Sequence, residues 1–239
     1  MFKLLRAAYR NYRQIAVMGA LILASGVCAA LLVVRLAYTR HWTYIGFGWN
    51  LFLAWLPMLC ALFAYNLYKR HSRLSWLMVA GCTFVWLLFY PNAPYLLTDI
   101  LHLQVRPDIP FWYDLLLVIA FALSGALLGL VSLFLMQMLV HRAVGPVLGW
   151  LFALSVLGVS GFGIWLGRVE RWNSWDVFTN PVSLLSQIAH TLRHPLANWR
   201  TFAFSAVFSL ILLSAYLTFA ALAYGQWEKP AARLPEREA

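Results

Sequence analysis

Ile15–Val34 runs for twenty residues without a charged side chain, the length an α-helix needs to cross the ~30 Å hydrocarbon core of a bilayer. Such a run leaves few options, because in lipid every backbone N–H and C=O must be paired within its own segment. It follows a basic arm carrying Lys3, Arg6, Arg10 and Arg13 and so has the outline of a signal peptide. Its apolar core, however, is longer than the roughly 7–15 residues of a cleaved one. It reads as an uncleaved first span, about 15–36, with Arg35 snorkelling to the far boundary.

Five further runs repeat the pattern at about 47–67, 74–90, 111–140, 146–166 and 201–224. Composition agrees: 63% of the 239 residues are hydrophobic and 11% charged, against about 25% charged in soluble domains. The expected fold is an all-α integral membrane bundle of six transmembrane helices with two short interfacial helices on the outer face. It forms a single membrane domain over 1–225, followed by a polar cytoplasmic tail over 226–239. Pro57 inside the second span is tolerable where neighbouring helices satisfy the freed carbonyl. Gly125-x-x-x-Gly129 permits close packing in the fourth span, and Gly149, Gly158, Gly161 and Gly163 place the fifth centrally.

The short helices are expected in the polar connections. Asn92 can cap one, with Pro94 in its first turn; this segment is interfacial or re-entrant. Val182–Leu192 alternates at helical period, as a helix lying on the membrane surface does. Cys28, Cys60 and Cys82 lie singly in apolar runs and read as small hydrophobes, without a disulfide framework or a zinc cluster.

The net charge of +10 does not indicate nucleic acid, because the basic residues sit in short clusters between apolar runs. Lys3, Arg6, Arg10, Arg13, Lys69, Arg70, Arg73, Arg142, Lys229, Arg233 and Arg237 fall on one side of a six-span topology, eleven in all. Arg35, Arg40, Arg106, Arg168, Arg171, Arg193 and Arg200 fall on the other, seven in all. The positive-inside bias then puts both termini in the cytoplasm. Glu228, Glu236 and Glu238 lie in the tail, while Asp99, Asp108, Asp114, Glu170 and Asp176 all face outward. So do His41, His102, His190 and His194, so the chemically capable groups gather at one face.

Tyr90–Leu103 concentrates that chemistry. Helical spacing sets Tyr95, Thr98, Asp99 and His102 on one narrow face. Asp99 and His102 suit a general acid–base pair or two metal ligands; the structural alternative is a helix whose Asp99 pairs with an outer arginine. Two ligands do not complete a metal site, so a divalent metal finds only part of its ligand set here and the cofactor is unknown. Asp114 opens the fourth span, where an acid also favours the positive end of the helix dipole. Between Gly167 and Asp176, two arginines, two acids and two tryptophans are packed together. Arg168 and Arg171 suit an anionic headgroup or phosphate, against the alternative of a tryptophan anchor with internally paired arginines.

Trp49-Asn50 before Leu53-Ala54-Trp55-Leu56-Pro57 is one marker, and Tyr90-Pro91-Asn92-Ala93-Pro94-Tyr95 with Thr98-Asp99 and His102-Leu103 a second. Trp112-Tyr113-Asp114 and Gly167-Arg168 with Arg171 and Asn173-Ser174-Trp175-Asp176 complete the set. Together they resemble a bacterial multi-pass membrane family, domain of unknown function 1361, from the second span to the start of the surface helix. The resemblance implies a several-span membrane protein and carries no catalytic roles.

The expected function is a plasma-membrane protein with an outer-face polar site that binds or processes an anionic substrate, a lipid-linked one among the options. Asp99, His102, Asp114 and Asp176 are the catalytic candidates. Asn92, Tyr95, Arg168, Arg171 and Asn173 are the binding candidates. The expected partners are the bilayer, such a ligand and, in the alternative below, a membrane protein. The alternative is a non-catalytic scaffold or complex subunit, in which acids and arginines pair and leave no cavity; a small transporter ranks third. Whether the protein is an enzyme stays open.

Overall fold

The computed structural model describes the backbone of residues 2–68, 70 and 72–227, and side chains within these from residue 14 to residue 223. Lys69, His71 and the tail from Glu228 onward lie outside the described residues, as do the side chains of Lys3, Arg6, Arg10 and Arg13. All described elements are helical. Helix α1 covers Phe2–Thr39, α2 Ile45–Tyr68 and α3 Arg73–Phe89. A short α4 (Asn92–Tyr95) passes directly into a 3-10 helix, Leu96–His102. Then come α5 (Phe111–Val144), α6 (Pro146–Arg168), α7 (Asp176–Thr179), α8 (Pro181–Arg193) and α9 (Trp199–Trp227). Six stretches of helix among the described residues are long and apolar enough to cross a membrane.

Helix α5, 34 residues and so ~51 Å long, carries α1, α2, α4, the 3-10 helix and α6 against it, while α3 packs on α2 and α9 chiefly on α6. Ser124, Gly125, Leu128, Gly129 and Ser132 are buried along it at spacings of three and four, the neighbours on one helix face. Cys28 of α1 and Ser124 share a hydrogen bond of 3.3 Å. Against α6, α9 comes close enough that the Ser209 hydroxyl donates to the Leu157 carbonyl at 3.1 Å. Helix α3 starts at Ser72, whose hydroxyl accepts from the Ser75 amide at 3.1 Å, and it ends just before Pro91.

The segment after Pro91 packs against α5. Ala93 and Leu96 are fully buried and lie over Gly125, ~21 Å along α5 from its Phe111 end. Asn92 does not cap this helix; its amide nitrogen donates to the Phe89 carbonyl at 3.0 Å and to the Ser174 hydroxyl at 2.9 Å. Its nitrogen is held by one local carbonyl and one tertiary hydroxyl, and the helix starts without a side-chain cap.

The two glycines of the packing motif are not equivalent. A Cβ on Gly125 would meet the Ala93 carbonyl oxygen at 2.5 Å and the Leu96 Cβ at 2.8 Å. On Gly129 its nearest neighbours would be 3.5 Å away, an ordinary contact. Gly125→Ala is therefore expected to cost about 1–3 kcal/mol through overpacking. Gly129→Ala should be neutral or slightly stabilising, since alanine favours helix. Unfolding midpoints in detergent check this; equal midpoints for the two variants would refute it.

Helix α8 is amphipathic as expected, with Leu184 and Thr191 buried and Val182, Leu185 and Leu192 exposed.

Candidate functional site

The 3-10 helix sets the site. Three residues per turn bring positions three apart into register, so Asp99 and His102 stand one above the other, as do Tyr95 and Thr98. Arg168, the last residue of α6, crosses all four. A cation suits that helix end because it meets the negative pole of the dipole.

Arg168 Nε donates to Thr98 Oγ1 at 2.8 Å and its Nη2 donates to the same oxygen at 2.6 Å. Nη2 also donates to Asp99 Oδ1 at 2.5 Å. Its Nη1 lies 2.7 Å from His102 Nε2; arginine only donates, so the imidazole nitrogen is the acceptor of this contact. The guanidinium stands 4.2 Å from the Tyr95 ring centroid. On its other side Asp99 accepts from Asn50 Nδ2 at 3.2 Å. Asp99 is fully buried and Arg168 11% exposed, so this is a nearly desolvated ion pair whose remaining valences are met by hydrogen bonds.

Beside the pair lies a cavity of about 350 Å³ between α2, the 3-10 helix and the end of α6. Asp99, His102, Arg106 and Arg168 line it with Tyr44 and Gln104. The Tyr44 hydroxyl donates to the His102 carbonyl at 3.0 Å. Burial pushes the Tyr44 phenol up, and the nearby Asp114 carboxylate adds to this against Arg106 and Arg35; the phenol therefore stays a donor. Arg106 stands over the Tyr44 ring at 4.9 Å and forms no ion pair with a carboxylate among the described residues.

A second cavity, about 250 Å³, adjoins the first and shares Trp49, Asn50 and Tyr95 with it. Its walls include Asn92, Trp172, Asn173, Ser174 and Trp175, with no charged side chain.

The structure thus brings Tyr95, Asp99, His102 and Arg168 together, with Asn92 and Asn173 at the adjoining cavity. It sets the other three candidates apart. Asp114 is bound by Arg35 through Nε to Oδ1 at 2.7 Å and Nη2 to Oδ2 at 3.1 Å, with both side chains 1% exposed. Arg35 does not snorkel: a buried carboxylate on α5 offers better compensation than the boundary. Asp176 closes its own turn, accepting from the Asn173 amide at 2.7 Å and from the Thr179 hydroxyl at 3.1 Å. Arg171 is exposed in the left-handed region at φ 62°. No group of three or more metal-ligating side chains occurs among the described residues.

Asn50, Thr98 and Arg106 enter the site without having been singled out for it. Asn50 carried one signal, an amide at the start of an apolar span. Thr98 shared the polar face with Asp99. Arg106 carried none.

The fold and the cleft define a multi-pass helical membrane protein with a polar, ion-paired cleft at one end of its bundle. The chain belongs to the family described as protein of unknown function (DUF1361), whose model matches residues 49–215, from Trp49 at the rim of the cleft to Ala215 within α9. No curated protein and no solved structure matches the chain.

Proposed function

We propose that the cleft binds an anionic headgroup, with both termini cytoplasmic in a plasma membrane and the cleft facing outward. The orientation rests on the excess of basic residues on the terminal side. One observation carries the binding reading: Asp99, the acid of the larger cavity, is already neutralised by Arg168, while Arg106 lines the same space without a carboxylate partner. The cavity is left with a surplus positive charge, which an anion would complete. Asp99 then positions Arg168 rather than taking a proton, and His102 Nε2 is likewise engaged by Nη1. A pure scaffold accounts for the ion pairs but not for the two cavities beside them.

Arg106→Ala in neutral phosphatidylcholine nanodiscs is expected to weaken binding of dodecyl phosphate at least tenfold. That corresponds to losing one charge-assisted hydrogen bond of about 1.5–3 kcal/mol. The unfolding midpoint should stay near that of the parent, since Arg106 is only partly buried. Absence of dodecyl phosphate binding to the parent, or equal affinity in the variant, would overturn the reading.

A further inference from the structure

The uncharged cavity has a composition of its own. Trp49, Trp172 and Trp175 supply aromatic faces, with the Trp49 and Trp175 rings edge-to-face at 6.4 Å. Between them stand Asn50 and Asn92, whose amide orientations are dictated by their partners. Asn50 Nδ2 donates to the Asp99 carboxylate, and Asn92 Nδ2 donates to a carbonyl and a hydroxyl. Each Oδ1 is therefore turned away from these partners and accepts no hydrogen bond among the described residues. An alkyl chain filling this space would strip water from those oxygens without replacing its hydrogen bonds. A polyhydroxylated ring answers both features, with hydroxyls for the amide oxygens and a C–H face for the indoles. The charged chamber, which shares Trp49, Asn50 and Tyr95 with it as lining, holds Arg106 and Arg168. Together the chambers fall in the ~300–1,000 Å³ range of small-molecule sites.

We infer that the two cavities form one composite site for a glycosyl phosphate, the phosphate beside Arg106 and Arg168 and the sugar among Trp49, Trp175, Asn50 and Asn92. This rests on the anion reading of the charged chamber and adds the chemical class of what the phosphate carries. The phosphate is either a lipid ester or free, and the same chemistry serves both.

The test titrates the full-length protein in neutral nanodiscs with dodecyl phosphate, dodecyl α-glucosyl phosphate and glucose 1-phosphate. The glucosyl ester should bind at least tenfold tighter than dodecyl phosphate. Trp175→Ala should remove most of that advantage while leaving dodecyl phosphate affinity unchanged; Trp172→Ala serves in its place where Trp175→Ala does not fold. Glucose 1-phosphate binding as tightly as its ester supports the site with a free sugar phosphate, and tenfold weaker binding supports it with a lipid-linked one. Equal affinity of the parent for the two dodecyl esters overturns the inference and leaves the anion reading standing. An undiminished sugar preference in the tryptophan variants overturns the placement. Binding of none of the three overturns both.

Discussion

Arg35→Met is expected to destabilise the protein by about 3–5 kcal/mol, the cost of leaving one member of a buried ion pair without its partner. Arg35 holds Asp114 through two hydrogen bonds, donates a third from Nη1 to the Thr43 carbonyl at 3.3 Å and lies over the Tyr44 ring at 4.4 Å. With both side chains 1% exposed, water cannot replace the lost arginine. The double variant Arg35→Met with Asp114→Leu should recover much of the loss, because it removes both desolvation penalties together. A double-mutant cycle on unfolding midpoints measures the coupling directly. Additive losses, or a single variant as stable as the parent, would show that the pair is more hydrated than its burial implies.

Asp99→Ala should produce a loss of similar size, about 3–5 kcal/mol, concentrated at the corner where the 3-10 helix meets α6. Removal of the carboxylate strands a guanidinium that is 11% exposed and frees Asn50 Nδ2 of its acceptor. Asp99→Asn should cost less, about 1–3 kcal/mol, since an amide oxygen can still accept one donor but carries no charge. Arg168→Lys should behave more like the alanine variant than like a conservative exchange. A point ammonium cannot reach Thr98, Asp99 and His102 together as the planar fork does. Unfolding midpoints order the three variants; Asp99→Ala as stable as Asp99→Asn would show that the charge contributes nothing there.

The polar face of the Tyr90–Leu103 stretch was visible in local spacing alone. Tyr95, Thr98, Asp99 and His102 share one face at α-helical spacing, whereas the tighter winding sets Tyr95 and Thr98 in one row and Asp99 and His102 in the next, and Arg168 bridges the two. Their common partner was not visible, because Arg168 lies 66 to 73 residues further along the chain. Asp114 shows the converse. By sequence it belongs with the same set of acids, yet it turns to Arg35, 79 residues away.

What the sequence determined by itself is the membrane-spanning helical architecture. Transfer of a segment into lipid is close to a sum over its own residues, and its backbone must pair within itself, so both conditions can be read along the chain. What only the tertiary structure decided is which arginine neutralises which acid, and how deeply the segment after Pro91 sits. Gly125 admits the Ala93 carbonyl against the middle of α5, and that single approach carries Asp99 and His102 to the end of α6. Helix adjacency is a non-local outcome of packing. The charge partners, the two cavities and the cleft they make all follow from it.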